Sequence, residues 1–447
     1  MTSAPADSES GPRRIGALAA SALVVLIAPP LYLLLDLAVV GRLGARELAA
    51  LGVGTLMLAI LSTQLTFLAY GTTARSARRF GEGDRDGAVI EGVQATWIAV
   101  VVGLAIVAAG YAAAPAIMRA LVPDAAVAAE GAGWLRIAVF GVPLILASMA
   151  GNGWMRGVQQ TRAPVVNVVV GLGLAAVLCV VLVHGVGPFP RWGLPGSAWA
   201  NLAGQSVTGL CFLGALWREC RATGVGWRPD RAVISAQLVM ARDLIARSAS
   251  FQVCFLSAAA VAARYSVAAV AAHQVVLQVW EFLSLLLDSL AIAAQALVGA
   301  ALGAAAPARA REVARRVTVA SVGLALVVAV VLGLGAGVLP RLFNTDAQVL
   351  DAIATPWWFL IAMLPIAGVV FALDGVLLGA GDAAFLRTAT LGAALVAFLP
   401  LIWASHVFGW GLAGIWTGLL VFMLARLAAV YWRYRQGGWT GQIGAAH

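Results

Sequence analysis

Twelve apolar runs separated by short polar stretches dominate the chain. They fall at residues 15–40, 48–73, 93–114, 134–155, 163–186, 195–217, 244–263, 270–296, 317–339, 357–380, 388–407 and 410–432. A helix rises about 1.5 Å per residue, so roughly 20 residues cross about 30 Å of hydrocarbon. Each run must be helical, because a lone strand in lipid would leave its backbone groups unpaired. The pattern predicts an all-α membrane protein with twelve transmembrane helices. The first run is too long for a cleavable leader and has no clear cleavage site, so it is expected to serve as its own insertion signal behind a disordered tail, residues 1–14.

The polar positions then orient the runs. All 29 basic residues are arginine, and their placement alternates. Counted by alternate loops with the run ends beside them, twenty-two fall on one side and six on the other, with Arg136 near the outer end of the fourth run. The excess of basic residues belongs in the cytoplasm, which puts both termini there, in a cell membrane. Composition agrees: 62% of residues are apolar and 11% charged, against roughly 45–50% and 25% in soluble domains. The net charge of +9 sits in membrane-flanking loops, which argues against nucleic acid. Cys179, Cys211, Cys220 and Cys254 show no metal or disulfide spacing and read as small packing residues.

The two halves resemble each other at an offset of 222 residues. Pro123-Asp124-Ala125 matches Thr345-Asp346-Ala347, Pro143 matches Pro365, and Asn152-Gly153 through Gly157 matches Asp374-Gly375 through Gly379. An even number of spans per half gives both the same orientation, related by a pseudo-twofold axis along the membrane normal. The predicted organisation is a six-helix lobe at 15–217, a cytoplasmic linker at 218–243, a second six-helix lobe at 244–435 and a tail at 436–447, with alternating access of the lobes across a central cleft.

A charge at the centre of a span costs about 2.5–3.5 kcal/mol, so acids there are functional candidates. Four lie inside the runs: Asp36, Glu281, Asp288 and Asp374. Asp36 follows Tyr32 by one turn, downstream of Pro29-Pro30, which remove backbone donors and loosen the helix. A carboxyl stripped of water there could load and release a proton; a solvated interfacial aspartate is the alternative. On the eighth run, Gln274, Glu281, Asp288 and Gln295 recur every seven residues, with Gln278 between them, and form one polar stripe facing a water-filled path or neighbouring helices. His273 could shuttle protons or rest at the interface. Asp374 and its counterpart Asn152 could pair with a backbone group at a helix break or, with Asn167 and Asn201, add polar groups to a cavity. Motifs for ATP hydrolysis or for hydrolytic enzymes are missing from the sequence, so an ion gradient rather than an enzymatic reaction is expected to supply energy, without a cofactor or metal.

The segment from Tyr32 through Asp36 to Gly41-Arg42-Leu43-Gly44, followed by Glu47 to Gly52, resembles the first span of the multidrug and toxic compound extrusion (MATE) transporters. Ala271-Ala272-His273-Gln274, Leu287-Asp288, Gln295 and Leu373-Asp374-Gly375 are similar to the DinF branch and its plant relatives. The resemblance implies a monomeric antiporter that exports small organic compounds in exchange for H+ or Na+. It places ion coupling at Asp36 and Tyr32 and polar cavity positions at Asn152, Asn167 and Asn201. Many relatives carry an aspartate where this chain has Gly171, so it is open whether Asp36 acts alone or with Glu281 and Asp288. Acids in the spans without a central arginine favour cationic, lipophilic substrates. Two alternatives are export of organic anions, since plant members include citrate exporters, and flipping of lipid-linked precursors.

Overall fold

The computed structural model describes residues 11–441, with the backbone alone at 61–64. Among the described residues it is helical throughout, without a strand. The α-helices are α1 Pro12–Gly41, α2 Ala45–Gln64, α3 Phe67–Gly81, α4 Arg85–Leu121, α5 Ala125–Ala138, α6 Val142–Gly157, α7 Arg162–His184 and α8 Leu194–Thr223. They continue as α9 Arg231–Ala262, α10 Val267–Gly303, α11 Pro307–Leu334, α12 Ala347–Gly379, α13 Ala383–Ala393, α14 Leu399–Phe408 and α15 Gly411–Gln436.

These make twelve rods, one for each predicted run. The second breaks at Leu65-Thr66 between α2 and α3, the fourth passes through a 3-10 turn at Val139–Gly141, and the eleventh through a π-turn at Ala394–Phe398. Ten rods are long and apolar enough to cross a membrane by length and composition. The others are the broken second rod and α8, which carries Ser197, Asn201, Gln205, Ser206 and Thr208. Several helices outrun their apolar stretch by a turn or two of polar residues, as α4 does at Arg85–Gly92. The apolar sequence ends there, but the backbone bonding need not. The expected tails fall mostly at 1–10 and 442–447, outside the described residues.

Helix boundaries repeat at the offset seen in the sequence. Ala45, Gly81, Arg85, Ala125 and Gly157 start or end helices, and Val267, Gly303, Pro307, Ala347 and Gly379, each 222 residues later, do the same. Close helix crossings repeat too. A Cβ on Gly153 would strike the Ala69 carbonyl, and one on Gly157 would lie 2.9 Å from the Thr73 carbonyl. The equivalent Gly375 backs onto the Ala291 carbonyl, and Gly379 onto the Gln295 carbonyl at 2.6 Å. Four glycines thus hold α6 on α3 and α12 on α10 backbone to backbone.

The described residues divide into two compact units, 24–241 and 242–441, the latter joined by residues 11–23. Of residues 218–243, only 224–230 are non-helical. That segment is held to α4: Gln94 donates to the Arg228 carbonyl at 3.0 Å and accepts from the Asp230 amide at 3.0 Å, while Trp97 donates to the Trp227 carbonyl at 2.8 Å. Next to it, buried Glu91 accepts two 2.7 Å bonds from Arg75 and one of 2.7 Å from Gln237.

Arg75→Gln is expected to lower the melting temperature of the detergent-purified protein by several degrees. Removing one partner of a fully buried pair costs about 3–5 kcal/mol. The cost here falls below that range because the Arg75 side chain is 28% exposed. Size-exclusion chromatography after a heating series reads the shift.

Candidate functional site

Five carboxyl-bearing residues are buried among the described residues: Asp36, Glu91, Asp243, Asp374 and Asp382. Four are held by arginine. Glu91 takes Arg75, Asp243 takes Arg387 at 2.5 Å, Asp382 takes Arg433 at 2.6 Å, and Asp374 takes both Arg426 and Arg247. A guanidinium stays protonated under all ordinary conditions, so each of these four carboxyls has a permanent cation against it. Asp36 has no such partner.

Asp36 lies on α1, six residues beyond Pro30, and is 1% exposed. Its Oδ2 accepts from the Ser197 hydroxyl at 2.9 Å and its Oδ1 from the Cys179 thiol at 3.2 Å. Ser197 sits in the first turn of α8, which starts with Leu194-Pro195 after Gly193 at φ 61°. Its oxygen also accepts from the Trp134 indole at 3.2 Å. That contact turns the hydroxyl hydrogen toward Asp36 and yields a relay of Trp134, Ser197 and Asp36 drawn from α5, α8 and α1. Cys179 comes from α7 and is fully buried. Tyr32 is one turn before Asp36 and partly buried among the side chains of the Trp154, Val168, Leu172 and Phe212 cluster, and its hydroxyl has no protein partner.

Cys179 was expected to be only a packing residue. The structure makes it one of the two donors to the buried carboxyl. The sequence also gave no notice of Ser197 or Trp134, whose only local cue is the Pro195-Gly196-Ser197 start of a polar-studded helix. Asn152 and Asn201 are buried and Asn167 half-buried. The Asn152 Oδ1 and the Asn167 Nδ2 lack protein partners, and no hydrogen bond joins these asparagines to Asp36 among the described residues. Gly171 explains the missing acid: a Cβ there would collide with the Thr208 hydroxyl and lie 2.7 Å from the Gly204 carbonyl. Helices α7 and α8 have closed over the space that a carboxylate would need.

In the second unit the stripe on α10 divides. Gln274, Gln278 and Glu281 are exposed, with Gln278 donating to Glu281 at 3.4 Å. Asp288 is half-buried and Gln295 buried. His273 is buried, edge-on to Trp416 at 5.9 Å. Asp374 is the centre of an ion-pair cluster. Its Oδ2 accepts from Arg247 Nη2 of α9 at 2.5 Å and from Arg426 Nη2 of α15. Arg426, towards the end of the twelfth run, has a side chain only 3% exposed. Outside the spans, exposed Glu312 is held down to about 2 by its hydrogen bonds to Arg315 and Arg316. It therefore keeps its charge through the neutral and mildly acidic range. Among the described residues no cluster of side chains suits a metal ion.

The family model MatE matches residues 21–181 and again 244–403, once in each half. The chain is 30% identical over 442 residues to the protein DETOXIFICATION 44, chloroplastic, of Arabidopsis thaliana, spanning 95% of this chain and 83% of that one. It is 28% identical over 429 residues to DNA damage-inducible protein F of Escherichia coli K12, spanning 92% and 90%. Its fold is similar to the crystal structure of MATE in the bent conformation, with TM-score 0.85 at 21% identity over 96% of each chain. It is also similar to the eukaryotic MATE transporter AtDTX14, with TM-score 0.81 at 17% identity over 97% of each.

Proposed function

The chain belongs to the MATE family of multi-pass membrane efflux transporters, and on that premise we propose that it is a secondary antiporter, exporting small organic compounds as H+ enters through Asp36. The observation that carries this reading is the contrast among the buried acids. Four are fixed by arginine, while Asp36 meets only the neutral donors Ser197 and Cys179. A carboxyl so placed can exist with or without its charge while its neighbours stay the same, which is what an ion-coupling group must do.

The donor set favours H+ over Na+. A hard cation takes several oxygen ligands, whereas one side of Asp36 faces a thiol, a soft and weak ligand. Tyr32 lies close enough along α1 to join the network when Asp36 changes state. Glu281 and Asp288 on α10 are proposed as a second acidic locus, and with Gln274 and Gln278 they give the carboxy-terminal unit a polar stripe for lipophilic cations. Asn152, Asn167 and Asn201 are proposed as substrate contacts, with unsatisfied amide groups at two of them as support. A relative from Bradyrhizobium diazoefficiens, 28% identical over 90% of this chain and 88% of its own length, is named a probable multidrug resistance protein. Drug-like cargo is the corresponding proposal here. We place the protein in the cell membrane as a monomer, with both termini cytoplasmic and alternating access of the two lobes.

Everted vesicles test the ion. A proton gradient imposed with the vesicle lumen acid is expected to drive uptake of a fluorescent cationic dye, and a sodium gradient at clamped pH is expected to drive none. Sodium-driven uptake that persists when protonophore clamps the pH would overturn the assignment of H+.

A further inference from the structure

The cluster around Asp374 is unbalanced. Two guanidinium groups face one carboxylate, and both donate through Nη2 to the same oxygen, Oδ2. The Nε of Arg247, the Nε of Arg426 and the Asp374 Oδ1 are all buried without a protein partner. Among the described residues no carboxylate other than Asp374 pairs with Arg247 or Arg426. Asp382 is closed by Arg433, and Asp243 already serves Arg387 and Arg242. A buried charge left uncompensated is costly, and a guanidinium edge with a free Nε–H and Nη–H matches the two oxygens of a carboxylate.

We propose that Arg247 and Arg426 form an anion subsite for the carboxylate of an amphipathic, aromatic substrate, with Asp374 as the internal occupant that such a substrate displaces. The surroundings suit that class. Phe251 lies beneath both arginines, at 5.8 Å from Arg247 and 5.1 Å from Arg426, and Phe422 is 5.8 Å from Arg426. The rings continue away from the charges as Phe251 against Phe255 at 6.5 Å and Phe398 against Phe422 at 5.3 Å. A carboxylate on the arginines would lay an attached ring system along this aromatic ladder. Arg247, with 16% of its side chain exposed, is the open side of the cluster. Cargo then extends from simple cations to zwitterions and organic acids, an extension that rests on reading the chain as an exporter.

Equilibrium binding to the full-length protein in nanodiscs, without any gradient, tests the subsite. The probes are 2-naphthoate and its neutral isostere 2-naphthamide. In the wild type, naphthoate is expected to bind about tenfold tighter than the amide, the worth of one charge-assisted bidentate contact. Arg247→Lys, which keeps the charge but loses the fork, should remove most of that preference. Asp374→Asn, which removes the competing carboxylate, should tighten naphthoate and leave the amide unchanged. Equal wild-type affinities for the two probes overturn the proposal, and that comparison needs no variant to fold. So does an Asp374→Asn protein that keeps its melting behaviour and binds naphthoate more weakly. Proton-driven efflux of the cationic dye, read separately on the same protein, tests the coupling role, so a failed naphthoate preference with intact efflux overturns the subsite alone.

Discussion

Asp36→Asn is expected to reduce proton-driven efflux to the level of vesicles lacking the protein, while leaving its amount in the membrane and its melting temperature nearly unchanged. The substitution conserves shape. The amide oxygen still accepts from one donor, and the amide nitrogen replaces the other oxygen opposite Ser197 or Cys179, whose hydroxyl or thiol can rotate to accept. No arginine is left without a partner, because none pairs with Asp36, so the large penalty for breaking a buried ion pair does not arise. What is lost is the ability to change charge. Asp382→Asn gives the contrast. That acid is also buried, but it is bound to Arg433 at 2.6 Å, so its loss should lower stability and leave the pH dependence of efflux by the surviving protein unaltered. Transport and melting measured on both variants separate the two roles. Wild-type efflux from Asp36→Asn, or a large loss of its folded protein, would remove Asp36 from the mechanism.

This contrast also shows what was legible in the sequence and what was not. Twelve rods and a twofold repeat could be read because apolar length and the recurrence of Pro, Gly and Asp at one offset are local, linear signals. Asp36 was visible because a carboxyl in a run of leucines is expensive and so demands a reason. Its partners were not visible. Cys179 and Ser197 come from rods 143 and 161 residues away in the chain, and small polar residues in spans are too common to mark a site. The partners of Asp374 were hidden for a related reason: Arg247 and Arg426 lie 127 and 52 residues away in the chain, towards the ends of the seventh and twelfth apolar runs. Position in sequence locates a charge, and only packing tells which charges cancel.

Gly375→Val is expected to cause the largest loss of folded protein among single substitutions outside the ion-coupling site. The Cβ of any residue at 375 would fall on the Ala291 carbonyl oxygen and lie 2.7 Å from the Ala291 Cα. Those are backbone atoms in the most completely buried stretch of α10, where every residue from Ser289 to Leu302 is buried. No side chain can rotate away to make room, so α12 and α10 must separate along their length. Overpacking a core costs about 1–3 kcal/mol when side chains can adjust, and a backbone clash lies at or above the upper end. Gly153→Val should behave alike, since the repeat sets it against the Ala69 carbonyl in the other unit. Gly173→Val and Gly323→Val, where an added Cβ meets nothing within 4 Å, serve as controls and should change the melting temperature by little. Fluorescence-detected chromatography of the four variants reads the outcome. Equal yields from Gly375→Val and Gly323→Val would mean that the crossing of α10 and α12 is not the close contact on which the carboxy-terminal unit is built.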